Sequence, residues 1–470
     1  MIFHFAKSDP EDESDPIRAY NQNLFVICLS AVCRHWRHTA TGDGTLWGNI
    51  SFSPSLLSTI NCAAEFLRRS RRAPLALMIW NADRSTTPAV VEDPAMIHIL
   101  NELGQNVGRI TNLVAINPPE VVMGALAQPA TSLVRLNIQT VESCAFASLF
   151  GGVMPKLRHL SISNPVGWRI QLFQNLNTVH LTATPLRRWR LSSLLDCIYA
   201  SVSIEELHFT CFEDFEPETI AESRRTVSLP SLHILRFTFC DSALMLSHLK
   251  IPPSTALSIY GHFGRSENIL TCLPESGHFP RMLKGAQYLT VVFDVEREIF
   301  EVDLLGPKGH GVHLLLGAVP RQGEFDRKWV LRSMTAVTHF APVSGVKWLT
   351  VVVDEYRMPW KTWLSRFGRI STLEVRCPDP AELLGVLVAP KGNTGQILCP
   401  ALRALSVERG KRPTADSRLL RECLETRASA GTAISSLNLN ELDWTAIPPT
   451  ELDAWEELIG RTRLDGRWTP

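Results

Sequence analysis

One hydrophobic phrase returns along the body of the chain: an aliphatic residue, two variable ones, an aliphatic, one polar residue, an aliphatic. It reads LVRLNI (from residue 133), LRHLSI (157), LNTVHL (176), IEELHF (204), LHILRF (232), STALSI (254), AQYLTV (286), VKWLTV (346), ISTLEV (370), LRALSV (402) and ISSLNL (434). Its last three positions alternate apolar, polar, apolar, the period of a strand with one buried face. The polar member is Asn137, Ser161, His180, His208, Arg236, Ser258, Thr290, Thr350, Glu374, Ser406 or Asn438 in turn. Most steps between starts are roughly 20 to 30 residues, the spacing of stacked strand-plus-helix units.

The segments between phrases agree. SSLLDCIYASV (192–202) and SRLLRECLETRAS (417–429) place apolar residues at helical spacing. MPKLRHLSI, LPSLHILRF and CPALRALSV share a proline two residues before the first aliphatic, which suits entry to a strand because proline lacks an amide donor. Strand then helix, repeated, predicts an α/β array. It resembles a leucine-rich repeat of the irregular kind; the asparagine or cysteine that such repeats carry three places after the phrase is mostly absent, with Cys240 the clearest match. A further unit is expected around GVHLLLGAV (311–319). ELDAWEELIG, led by Thr450 and Asp453 in a capping-box-like start, reads as a helix covering the last repeat.

The N-terminal stretch SAVCRHWRHTATGDGTLWGNI (30–50) is patterned differently. Leu29, Val32, Cys33, Trp36 and Ala40 recur at three- and four-residue steps and predict one face of a single helix, with Arg34, Arg37 and His38 largely off that stripe. Gly42 and Gly44 end it, and Leu46 and Trp47 bring large apolar groups back. Cys28, Cys33, His35 and His38 crowd together, but on one helix they point in several directions and cannot converge on a tetrahedral ion, so no metal ligands are assigned. Arginines at 34 and 37 and the run RRSRR (68–72) could meet phosphate. The chain is neutral overall, however, with 47 basic and 47 acidic side chains, and the run falls at a helix C-terminus, where cations are favoured anyway.

With 45% hydrophobic residues and 20% charged, the chain has the apolar content to bury a core. Its eleven cysteines are scattered without a disulfide framework's spacing, which fits an intracellular setting. The run LFVICLSAVC (24–33) is too short to span a bilayer, and no basic segment with a long apolar stretch opens the chain. No phosphate loop, dinucleotide fingerprint, H-E-x-x-H or G-x-S-x-G occurs, and Glu205-Glu206 reads as solvated strand surface, so neither catalysis nor a cofactor is expected.

Val32, Cys33, Arg34, Trp36, Arg37, Leu46 and Trp47 follow, position by position, the second half of an F-box, L-x-x-V-C-[RK]-x-W-R, a spacer, then L-W. AEFLRRSRRAPLALMIW (64–80) resembles the segment that follows the F-box in large fungal families: a helix ending F-L-x-R-S, then P-L and a strand. The usual Leu-Pro opening is absent. MIFHFAK matches only the end of the first F-box helix, through Ile2 and Phe3, and the acidic stretch SDPEDESDP (8–16) separates it from the second; the expectation is an N-terminally shortened F-box. The resemblance implies a substrate receptor of an SCF-type cullin-RING ubiquitin ligase, docking the Skp adaptor through the F-box and an unknown protein target through the repeats. No nucleic acid or membrane partner is expected. The residues implied for the adaptor are Ile2, Phe3, Leu29, Val32, Cys33, Trp36, Leu46 and Trp47, of which Val32 and Trp36 are assigned chiefly to the domain's own small core and Ile2, Phe3 and Leu46 to the adaptor. For the target they are Ser161, His180, His208 and Arg236. The alternative is a leucine-rich interaction scaffold with no ligase role.

The expected organisation is therefore an all-α segment over 1–50, linking helices and a first strand over 51–130, an irregular leucine-rich-repeat solenoid over 131–445, and a capping helix with a tail over 446–470.

Overall fold

The computed structural model describes residues 16–81, 93–140, 146–164, 174–183, 190–212, 215, 226–262, 272–274, 283, 285–294, 299–317, 327–340, 343–353, 358–388, 390–391, 396–409, 417–440, 449–459, 462–464 and 467–468. The chain forms two compact units, residues 1–232 and 233–470, both mixed α/β.

In the first unit two helices, α1 (Pro16–Ala31) and α2 (Arg34–Gly42), lead through a 3-10 turn (Gly44–Trp47) into parallel strands β1 (Asn49–Phe52), β2 (Leu75–Trp80), β3 (Ile110–Ile116), β4 (Arg135–Gln139), β5 (His159–Ser163), β6 (Thr178–Thr182) and β7 (Glu206–Thr210). Each pairs with the next in sequence. Helices α3 (Leu57–Ser70), α4 (Pro94–Asn106), α5 (Glu120–Ala125) and α6 (Leu191–Tyr199) connect several of them. Three strands thus precede residue 131, where the sequence predicts one. LALMIW and ITNLVAI have Met78 and Val114 where the phrase needs a polar residue, and NISF is led by Trp47 where the phrase needs an aliphatic, so the phrase does not find them.

Alternation works as the phrase requires. Leu160, Ile162, Val179 and Leu181 are buried, while Ser161 and His180 between them are half-buried on the other face. The lead-in prolines have a different role from the expected one. Pro155, Pro230 and Pro400 sit inside turns closed by Leu157 N–H to Met154 O (3.2 Å), Leu232 N–H to Leu229 O (3.3 Å) and Leu402 N–H to Cys399 O (3.0 Å). Proline at the second position of such a turn is pre-set in φ, and the strand begins only after the first aliphatic.

Strand exits are regular too, two places after the phrase rather than three. Asn164 and Cys211 lie in the left-handed region there (φ 55° and 61°), as does Asn117 after β3 (φ 46°). Asn164 donates its backbone N–H to Thr182 O (2.7 Å) and its Nδ2 to Thr140 O (2.8 Å), tying β5's exit to both neighbours. Asparagine tolerates that backbone better than most residues.

The second unit begins with β8 (Ile234–Thr238), α7 (Ser242–Ser247) and β9 (Ala256–His262), a parallel pair. An antiparallel meander follows: β10 (Tyr288–Asp294), β11 (Ile299–Leu305) and β12 (Gly311–Gly317). Strand β12 lies parallel to β9 and β10 parallel to β13 (Trp348–Val353), so the meander is spliced into the parallel run. The extra strand expected near 311 exists, but as the last arm of this meander, and IFEVDLL of β11 is unforeseen. Parallel order resumes through β14 (Thr372–Cys377), β15 (Ala404–Arg409) and β16 (Ser436–Asn440).

Helices α8 (Arg327–Phe340), α9 (Trp360–Leu364), α10 (Pro380–Val388), α11 (Ser417–Ser429) and α12 (Pro449–Ile459) complete this unit, and α9 to α12 pack each on the next. Helix α12 starts at Pro449, so Thr450 lies in its first turn instead of capping it. It is not the final cover: β17 (Thr462–Leu464) continues the sheet parallel to β16, and β18 (Arg467–Trp468) turns back on β17. Neither unit closes into a barrel among the described residues.

Candidate functional site

The predicted single N-terminal helix is two. Cys33 is extended (φ −156°, ψ 173°) and caps α2, its Sγ accepting from Trp36 N–H (3.5 Å). Arg37 Nε donates to Ser30 O (3.1 Å), satisfying a carbonyl at the end of α1. The break rotates the expected stripe apart: Val32 is 61% exposed and Cys33 exposed, Leu29 and Trp36 are half-buried, and Ala40 is buried. Val32 therefore does not belong to the small core assigned to it.

Leu46 (5% exposed) and Trp47 (1%) are interior, which corrects their assignment as partner-facing groups. Trp47 donates Nε1–H to Ala40 O (2.7 Å), meets Phe66 of α3 edge-on and lies under the Arg69 guanidinium (4.3 Å to the ring centre). The basic run is committed locally as well. Arg68 and Arg69 both bond Glu65, whose carboxyl is pulled down to about 2, by the Arg68 hydrogen bond first and Arg69 after it, against a desolvation penalty. Arg71 reaches Thr41 O (3.4 Å). Ile2 and Phe3 lie outside the described residues.

What α1 does present is an apolar stripe that the sequence reading overlooked. Leu24 (41% exposed), Phe25, Ile27 and exposed Cys28 follow i, i+3, i+4 spacing and lead on to Val32. The same helix is anchored by Asn23, 1% exposed, at the border of the stripe. With its amide turned to satisfy both groups, Asn23 donates to Asn49 O (2.9 Å) and accepts from Ser51 N–H (3.1 Å), covering the free edge of β1.

The second region is the polar face of the strands. In the first unit Asn137, Ser161, His180 and His208 stand in one transverse register. His180 and His208 stack face to face, centroids 4.0 Å apart and 7° from parallel. Glu206, two residues before His208 on the same face, completes a group whose ligand atoms lie within 4.8 Å of one another. His159 opposes Thr178 in the row beside it and is held below the usual histidine range, by desolvation and then by Arg135.

In the second unit Arg236 pairs in register with Ser258, and Ser258 with His313. The row runs on through Asp303, Thr290, Thr350, Glu374, Ser406 and Asn438. His313 Nδ1 bonds Asp303 Oδ1 at 2.5 Å, and Glu301 Oε1 stands 3.8 Å from the same nitrogen. That bond lifts His313 above its ordinary range, and desolvation with the neighbouring Asp303 lifts Glu301. Exposed Arg236 lies 5.7 Å from the Tyr260 ring, which in turn meets His313 edge-on. All four residues expected to contact a target thus lie on the polar strand faces, three in one row of the first unit and Arg236 in the second.

The two histidine clusters were missed because their members come from different strands, and no local spacing announces them. Comparison with protein-family models and with curated proteins finds no match to this chain. Among the described residues no helix is long and apolar enough to cross a membrane.

Proposed function

We propose that the chain is the substrate-receptor subunit of an SCF-type cullin-RING ubiquitin ligase, its N-terminal helices docking the Skp adaptor and the polar faces of its repeats holding a protein target. The observation that carries the reading is the exposed stripe Leu24, Phe25 and Ile27 on α1 with Val32 in the bend after it, within the segment that bears the F-box-like wording. Four neighbouring large apolar groups left in water are costly unless a partner covers them, and buried apolar anchors dominate interface energy.

The contiguity of the motifs supports it. The L-W pair, the F-L-R-R-S helix end and the P-L strand start form one interlocked unit behind the stripe, which a docking module needs if its surface is to be rigid. The in-register strand runs with intervening helices favour the leucine-rich-solenoid reading of the rest. In this role the protein contributes proximity, holding a target's lysines near the ubiquitin-loaded enzyme, and needs no reactive side chain.

The test is co-purification of the full chain with the Skp adaptor. Binding that is lost on Ile27→Asp and on Val32→Asp, and retained by Arg418→Ala, is the expected result. An intact chain that fails to bind leaves the interaction-scaffold role in its place.

A further inference from the structure

The geometry points to a divalent transition-metal site, of Zn²⁺ type, formed by His180, Glu206 and His208 on the polar face of β6 and β7. It stands apart from the proposed adaptor role and does not depend on it.

Three features carry it. Two imidazoles and one carboxylate are the donor set of catalytic and substrate-accepting zinc sites, and their ligand atoms already lie within 4.8 Å of one another. Bonds of about 2.0–2.2 Å from each donor to a shared ion require the two stacked rings to turn about their Cβ–Cγ bonds until their in-plane lone pairs converge. The positions are also built into the sheet: His180 and His208 are directly opposed in the parallel register, and both project from the same face, their rings stacked at 4.0 Å. Glu206 reaches the same face because side chains two apart on a strand share it. Finally, all three side chains are half-buried, which limits competition from water.

The other cluster, Glu301, Asp303 and His313, is a poorer host. His313 Nδ1 is already bonded to Asp303, and a ligand imidazole must be unprotonated. At His180 and His208 two imidazoles favour a borderline cation over Mg²⁺ or Ca²⁺, which prefer all-oxygen shells. Three protein ligands leave the fourth position of a tetrahedron open, so the ion would accept water or a side chain of a bound partner. Neighbouring charge is mixed: Glu205 and Glu206 favour a cation, while Arg135 acts against it across His159.

The experiment uses the full chain with Cys28→Ser and Cys33→Ser as background, since both thiols are exposed and bind soft metals themselves. Zn²⁺ titrated by calorimetry should bind, raise the thermal midpoint, and leave it unmoved when replaced by Mg²⁺. His208→Ala should abolish this response and Glu206→Gln should weaken affinity by about 10-fold or more. Co²⁺ in the same site should give ligand-field bands without a thiolate charge-transfer band, a readout on the histidine-intact protein that holds even if His208→Ala fails to fold. No Zn²⁺ binding, an unchanged response in Glu206→Gln and His208→Ala, or a thiolate band with Co²⁺ would overturn the assignment.

Discussion

Trp47 meets Phe66 edge to face, their ring centres 4.9 Å apart, and this contact joins the two N-terminal sequence motifs into one body. Trp47 comes from the turn that ends the helical segment and Phe66 from the helix that follows β1, and both are 1% exposed. Trp47→Ala should cost about 3–5 kcal/mol through the cavity it leaves. Trp47→Phe should cost less, about 1–2 kcal/mol, because it keeps most of the packing and loses the bond to Ala40 O. Urea denaturation of the first unit's transition measures both, and equal effects would show that the hydrogen bond dominates.

The glycines around Trp47 are fixed by close backbone approach. A Cβ on Gly48 would lie 2.5 Å from Pro74 O, and one on Gly44 would lie 2.7 Å from Ser70 O. Gly48→Ala should destabilise by about 2 kcal/mol or more, since the obstacle is backbone and cannot rotate away. Gly42→Ala, with open space around it, should be close to neutral on the same denaturation curve.

Arg427, 0% exposed, donates to Leu398 O (2.9 Å) and Cys399 O (2.8 Å), holding the turn that leads into β15 from the helix α11. Burial lowers its affinity for the proton, yet arginine starts so high that it stays charged at neutral pH. Arg427→Leu should cost about 3 kcal/mol, because two buried carbonyls lose their donor. Loss of hydrogen-exchange protection at Leu402 and Leu405 would locate the damage; uniform loss across the unit would mean the effect is global.

His313 gains its partner, Asp303, only in the folded state, and its raised affinity for the proton sets the sign of a pH effect. The bond, supported by Glu301 and opposed by Arg236, stabilises the protein fully below the unfolded histidine pKa of about 6.5 and is lost as pH rises through the higher folded value. The second unit should therefore be more stable at about pH 5.5 than at about pH 8.5, and Asp303→Asn should flatten that difference. An unchanged difference in the variant would assign the pH dependence to other groups.

Thiol accessibility separates the cysteines. Cys28 and Cys33 are exposed on the N-terminal helices, whereas burial pushes Cys377 up to about 12 and Cys423 up to about 11. A thiol reagent under native conditions should label the first two before either of the others. If the proposed adaptor docking holds, prior labelling of Cys28 should block it, since Cys28 sits within the exposed stripe.

Patterning by itself determined the repeated strand, its buried and polar sides, and helices such as 417–429, because a two-residue period and a 3.6-residue period are local properties of the chain. It also placed Ser161, His180, His208 and Arg236 on polar faces, for the same reason. Tertiary structure decided what periodicity cannot carry. Whether Val32 or Leu46 meets water depended on a helix break at Cys33 and on a helix, Leu57–Ser70, arriving from beyond the next strand. The antiparallel meander and the convergence of His180 with Glu206 and His208 were settled by which strands pair, a choice made between segments distant in sequence.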